Sequence, residues 1–414
     1  MVGHEARGRR GRGRRVAAAL LLAFLAGCAG SNEGAPAHPA PSWDYRDPGL
    51  PARLDDALAR WASDHELIGV AARVLTPGWL DWSGSTGVQS TSSGVPFELD
   101  TVGRIASATK PFTATVIFQL RDEGRLSLDT TLGEFVPDYP NGDQITLEHL
   151  LRHRSGIPEL ELADGFFILD VILNDDHWFT PKEILDWTHL PIPMLDFLTG
   201  MLVPREPLTY PGGDYHYAQP NYIALGLVIE AITGQPLADV YRERIWEPLG
   251  LDQTRLPEPG EPLDPSGYTN VFGLLPVRIP GTVLVQSGNS LNSSAWSAGG
   301  LISSARDLGT FLSALLDGRL YSAESLGDAT DFLATDPNVP LGVEDYGMGL
   351  VREQVGDLTY IGHDGALPGA VSVMKYVPEL DVVVSAVVNS DALHGELPDL
   401  KQRVAWALRN EPQQ

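Results

Sequence analysis

Cysteine occurs once in these 414 residues and lysine four times, and no apolar run reaches the roughly 20 residues a membrane-spanning helix needs. A single thiol excludes an intramolecular disulfide. Basic residues are scarce in general: 29 Lys+Arg stand against 54 Asp+Glu, a net charge of −25. Six of the arginines fall within the first fifteen residues, so the chain beyond residue 27 keeps 23 basic against 53 acidic groups, a net −30. Such a surface repels phosphates and anionic headgroups, and no nucleic-acid partner is expected. No His, Asp or Glu grouping has metal-ligand spacing, so neither metal nor cofactor is expected. No internal repeat has a solenoid period.

The N-terminus reads as an address rather than as fold. A basic head is followed by the apolar run Val16–Leu25 and by Leu25-Ala26-Gly27-Cys28. Basic head, short apolar stretch and small residues describe an export signal. The ending resembles the bacterial lipobox, which places the lone thiol of Cys28 where lipid would be attached after cleavage at residue 27. The expected location is therefore outside the cytoplasm, lipid-anchored to a bacterial membrane. Residues 28–50 are rich in Pro, Ala and Gly without apolar periodicity and read as a tether, with the catalytic-size domain over 51–410.

Strand and helix signals come in blocks. Leu54, Leu58 and Trp61 share one helical face; residues 69–75 and 79–87 read as strands broken at Pro77-Gly78. Helical patterns follow at 107–122, 146–153, 181–188, 221–233, 237–246 and 304–316, and strands return at 346–352, 357–362, 369–376 and 381–389. Terminal strands must bury their apolar faces together. The expected class is α+β: one antiparallel sheet from both chain ends, flanked by helices, with a mostly helical second region and a site in the cleft between. Residues 161–210 carry the apolar stretches FFILDVIL and LPIPMLDFLTGMLVP. They read equally as an enlarged helical insert with its own core and as a hydrophobic lid.

Two of the four lysines follow a serine by three residues: Ser107/Lys110 and Ser372/Lys375. Periodicity separates them. The first pair opens a helical pattern, where i and i+3 share a face; the second lies in the alternating stretch VSVMKY, where residues three apart point to opposite faces. Only the first pair can touch. A desolvated lysine near a helix N-terminus has its charged form disfavoured and can take a serine proton.

The stretch FELDTVGRIASATKPFTATVIFQLRDEGRLSLDTTLGEFVP resembles the β-lactamase-like serine hydrolases, which include class C β-lactamases, D-alanyl carboxypeptidases, D-aminopeptidases and related esterases. Blocks at 145–158, 211–234, 245–254, 297–308 and 360–369 follow in the family's order. The resemblance implies a β-lactamase/transpeptidase-like fold. It makes Ser107 the acylated nucleophile and Lys110 its partner, and puts Tyr217 on the tyrosine of the family's Tyr-x-Asn motif. A phenol titrates near pH ~10, so acting as a base requires a nearby cation such as Lys110. The third position of that motif is Gln219, not Asn, with Asn221 as the lesser alternative.

The Lys-Thr-Gly motif of β-lactamases corresponds to His363-Asp364-Gly365, and the resemblance makes the amides of Ser107 and Ala366 the oxyanion hole. An acid at Asp364 is expected to repel the carboxylate of penicillins and D-Ala-D-Ala termini. His153 and His216 are expected to be structural. The function expected is acyl-serine hydrolysis of a small ester, amide or peptide substrate. Its alternatives are a peptidoglycan D,D-carboxypeptidase or β-lactamase, and a non-catalytic binding or sensor protein that keeps the fold.

Overall fold

The computed structural model describes residues 41–159, 178–189, 210–259, 261, 267–269, 283–285, 289–335, 345–367, 369–390 and 397–411. The calls on the export signal and Cys28 lie outside these residues, as does most of the 161–210 segment. Its described part is integral to the fold: helix Pro181–Asp186 buries Ile184 and Leu185 in the main core, with Phe179 beside them.

Nine strands form one antiparallel sheet: β1 (Gly69–Thr76), β2 (Leu80–Gly87), β3 (Leu333–Ala334), β4 (Asp345–Tyr346), β5 (Val351–Val355), β6 (Leu358–Gly362), β7 (Gly365–Leu367), β8 (Ala370–Val377) and β9 (Val382–Val388). Their spatial order is β2-β1-β9-β8-β6-β5-β4-β3, with β7 added on β8. β1 from the front of the chain pairs with β9 from its end, Val70 opposite Val388 and Leu75 opposite Val383. The sheet is thus closed by both chain ends, as the strand pattern predicts.

β8 and β9 are buried at every position because both of their faces are covered. Period two sorts their side chains. Val371, Val373, Val377, Val382, Val384 and Val388 face one core with α1 (Leu50–Asp64) and α6 (Leu397–Arg409). Met374, Tyr376, Val383 and Val387 face the other, with α2 (Lys110–Asp122), α3 (Gln219–Thr233), α4 (Asn289–Gly299) and α5 (Ala305–Leu316). The stacked pair Phe112–Phe311, ring centroids 3.6 Å apart, joins α2 to α5.

Of the tether expected over 28–50, residues 28–40 lie outside the described residues, and residues 43–50 pack on the folded body. Trp43 is 7% exposed and its indole N–H donates to Leu380 O at 2.8 Å, while Asp47 pairs with Arg53 of α1 at 2.6 Å. One large aromatic with a satisfied polar tip outweighs the neighbouring prolines, so the folded body includes residues from 43 onward. Among the described residues no single helix is long and apolar enough to cross a membrane.

Candidate active site

Ser107 lies in a 3-10 turn, Ala106–Thr109, that runs into α2 at Lys110 with Pro111 in the helix's first turn. The sequence pattern starts the α-helix at 107; the structure starts it three residues later. In a 3-10 turn residues i and i+3 eclipse, so the pair is brought closer than α-helical spacing would bring it. Lys110 Nζ donates to Ser107 Oγ at 3.0 Å. Ala106, fully buried, holds φ at 48° to aim that turn, a conformation costing a Cβ-bearing residue about 1–3 kcal/mol.

Lys110 has no exposed surface. Its Nζ also donates to Ala298 O at 2.8 Å and sits 4.8 Å from the centroid of the Tyr217 ring. The Ala298 carbonyl follows a break in α4 where Trp296 takes φ 28°, ψ −119°. Beside it Ser297 O accepts from Thr113 Oγ1 at 2.6 Å, and Ser297 Oγ donates to Tyr222 O at 2.8 Å. The kink therefore turns two successive carbonyls toward α2.

Tyr217 Oη donates to Ser107 Oγ at 2.8 Å. Its phenol is not made acidic, as base chemistry would require: burial pushes its pKa well above 10, and the hydrogen bond it shares with Ser107 opposes this without overcoming it. Tyr217 is a proton donor at rest. Its ring lies on that of His153, centroids 4.4 Å apart. His153 also takes a positive φ, 55°, so Ala106, His153 and Trp296 place three strained residues around one serine.

Gln219 opens α3, and its backbone N–H donates to Glu159 Oε2 at 2.8 Å. Asn221 does not stand in for it. That side chain is fully buried, with Nδ2 3.0 Å from His153 Nδ1 and Oδ1 2.5 Å from Ser155 Oγ. His216 takes part through its backbone, donating N–H to His153 O at 2.8 Å.

The 363–365 corner joins β6 to β7. His363 is 5% exposed, and burial, then Lys110, hold its imidazole well below the usual histidine range, so it is neutral near pH 7. Gly365 is required by contact: a Cβ there would lie 2.0 Å from Ile105 O. That brings β7, with half-buried Ala366, against the segment that carries Ser107. Ser372 Oγ donates to the same Ile105 carbonyl at 2.7 Å, whereas Lys375 emerges on the opposite face of β8, as strand parity requires.

Asp364 overturns its expected effect on substrate. Its Oδ2 lies 2.6 Å from Lys401 Nζ on α6 and 3.8 Å from Lys375 Nζ on β8. Both lysines are 1% exposed, and both also contact Glu353 of β5. Two cations and two anions balance. Burial acts to raise the Asp364 pKa, but Lys375 and Lys401 outweigh it and keep the carboxyl ionised. Its charge is neutralised inside the fold and supplies no repulsion to a substrate carboxylate.

Tyr346, Glu159, Ala298, Glu353 and Lys401 complete the site and its support, and sequence reasoning misses them. The one available signal was the rarity of lysine. Among the described residues, no group of three or more His, Cys, Asp or Glu is placed to hold a metal ion.

The chain is similar to several known proteins. Penicillin-binding protein 4 of Amycolatopsis lactamdurans is 27% identical over 370 residues, 84% of this chain and 87% of that protein. Esterase EstB of Burkholderia gladioli is 31% identical over 209 residues, about half of each chain. The D-amino acid amidase of Ochrobactrum anthropi SV3, solved with L-phenylalanine amide, superposes with a TM-score of 0.71 at 27% identity, covering 87% of this chain and 98% of its own. The family described as Beta-lactamase matches residues 51–408; the chain belongs to that family and is a serine hydrolase.

Proposed function

We propose that the protein hydrolyses a small ester or amide of low negative charge through an acyl-Ser107 intermediate. The observation that carries the reading is the convergence of Lys110 Nζ (3.0 Å) and Tyr217 Oη (2.8 Å) on one serine oxygen. Lys110 in its neutral form removes the hydroxyl proton as Oγ attacks the carbonyl carbon. Tyr217, held protonated by burial, gives its proton to the departing alkoxide or amine and is reloaded from Lys110. Water then enters, loses a proton to the same pair as its oxygen bonds to the acyl carbon, and the pair returns that proton to Oγ as the bond from the carbon to Ser107 breaks and the acid leaves. The backbone amides of Ser107 and Ala366 stabilise the oxyanion; losing one such donor costs roughly 3–4 kcal/mol.

Preference for a weakly charged substrate no longer rests on Asp364. It rests on what the corner offers instead: a neutral His363, and two lysines already bound to Glu353 and Asp364. Neither supplies a cation for a substrate carboxylate. Glu159 also acts to raise the pKa of Tyr217, a sign that it contributes negative potential there. As a location, the sequence of residues 1–28 supports export and lipid attachment at Cys28.

A fluorophosphonate adduct found by mass on Ser107, and absent from Ser107→Ala, tests the intermediate. Side-by-side assays of a p-nitrophenyl ester, a D-amino acid amide, nitrocefin and a D-Ala-D-Ala peptide test the substrate class. Faster turnover of the last two would overturn the charge argument.

A further inference from the structure

One buried hydroxyl behind the serine belongs to none of these steps. Tyr346, at the end of β4, is 1% exposed. Its Oη lies 3.2 Å from His153 Nε2 and 3.4 Å from His363 Nε2. Its ring meets both imidazoles edge-on, centroids 4.9 and 6.0 Å away.

The other nitrogen of each ring fixes where the protons are. His153 Nδ1 faces two donors, the N–H of Ala218 at 3.1 Å and the side-chain amide of Asn221 at 3.0 Å. It can only accept, so the proton of this neutral ring is on Nε2. His363 Nδ1 lies 2.6 Å from the carbonyl oxygen of Asp364, which can only accept. Here the proton is on Nδ1, and Nε2 is the acceptor. Tyr346 then accepts from His153, and its single proton faces two acceptors, His363 Nε2 and the hydroxyl of Tyr222. With the proton given to His363, the links run one way, from the amide of Ala218 through His153, Tyr346 and His363 to the carbonyl of Asp364.

The two ends matter to the reaction. His153 is the surface on which the Tyr217 ring lies, and His363 begins the corner that leads to Gly365 and Ala366. We infer that Tyr346 is a positioning residue for acyl transfer, its hydroxyl linking the two imidazoles whose tautomers are already set, holding the plane of each and so joining the segment of Tyr217 to the corner of Gly365. The inference rests on the acyl-serine reading above.

The charges around the chain support it. His363 is faced by Lys110 from α2, Lys375 from β8 and Glu353 from β5, with Tyr217 across from it. His153 is faced by Lys110, His363, Tyr215, Tyr217 and Tyr222. Burial first, and Lys110 next, disfavour the cation at both rings. Protonating His363 would place two N–H groups on one tyrosine oxygen and reverse the link.

The test is nitrogen NMR of histidine-labelled full chain, with resonances assigned through His153→Gln and His363→Gln, beside kinetics on p-nitrophenyl acetate. Wild type is expected to show His153 protonated at Nε2 and His363 at Nδ1, both neutral throughout. Tyr346→Phe keeps the ring but removes the donor to His363 Nε2. There the Nε2 resonance of His363 should move to that of an acceptor without a donor, and that of His153 to a donor without an acceptor, with both rings still neutral because burial and Lys110 are unchanged. At pH 8, kcat should fall about tenfold with KM changed less than twofold. A wild-type His363 protonated at Nε2 overturns the inference. So does a variant with an unchanged His363 resonance, which would mean the Tyr346 proton goes to Tyr222, its other hydroxyl neighbour. The spectra need no turnover, whereas a Ser107 that takes no fluorophosphonate defeats the acyl-serine reading and the catalytic part of this one.

Discussion

At the scale of single residues, Ser107 holds two donors on one oxygen, and the donors differ in kind. Lys110 can exist in either charge state, whereas burial keeps Tyr217 protonated. Tyr217→Phe should therefore leave the fold and fluorophosphonate labelling largely intact while lowering kcat by about 10²–10⁴, the usual worth of a positioned acid. The loss should be steepest for poor leaving groups, which need the proton most, and slight for p-nitrophenolate. A Brønsted series of aryl esters measures this; an equal loss across the series would remove Tyr217 from the leaving-group step. Ser107 and Lys110 were legible because their relation is local: three residues along a helical turn. Tyr346 was not, because it lies more than 180 residues beyond His153 in the chain, and only the packing of β4 behind the site brings them together.

At the scale of elements, α6 is tied to the site's back by Lys401, which contacts Asp364 from the corner and Glu353 from β5. Lys401→Met leaves two carboxylates facing Lys375 alone, and should lower stability by about 3–5 kcal/mol, as breaking a buried pair does. Adding Glu353→Gln restores the charge balance and should recover much of the loss. Denaturant midpoints decide; if the double variant is no better than the single, charge balance is not the cause. The pH dependence follows from the directions of shift. The folded carboxyl of Asp364 titrates below its unfolded value, so its stabilisation is present above about pH 4 and is lost as pH falls through the folded value. Lys401 titrates above its unfolded value, so its part is full below about pH 10.4 and is lost only as pH rises through the folded value.

The same elements show what the sequence could and could not say. Strand parity placed Ser372 and Lys375 on opposite faces of β8 correctly, because period two is a local property. What lies against each face is not local. Asp364 looked like a charge offered to substrate because its partners are set by packing: Lys375 across on β8, and Lys401, 37 residues further on, in α6. The tether misread has the same origin. Proline and alanine around residue 43 describe the chain's local freedom, and Trp43 is held by a carbonyl from residue 380.

At the scale of the whole molecule, 54 acidic against 29 basic residues make self-repulsion a standing cost to the compact state. Raising ionic strength from 0.01 to 0.15 M shortens the screening length from about 30 to about 8 Å. It should raise Tm, as scanning calorimetry can measure, because dispersed surface charge is screened while the buried Lys–carboxylate cluster is not. A Tm that falls with salt would mean that the surface ion pairs, such as Arg306–Asp100 at 2.6 Å, outweigh the repulsion between like charges.

Lysine itself has a practical consequence. Lys110, Lys375 and Lys401 are enclosed, and Lys182, 65% exposed beside Asp186, is the fourth and last in the chain. Amine-directed reagents therefore meet a molecule with one side-chain handle. A succinimidyl dye should mark Lys182, beside any free α-amino group, and spare the other three lysines, so that side-chain labelling falls on one position. Peptide mapping after labelling reads this directly, and label on Lys110 would report that the interior around Ser107 opens to solvent within the labelling time.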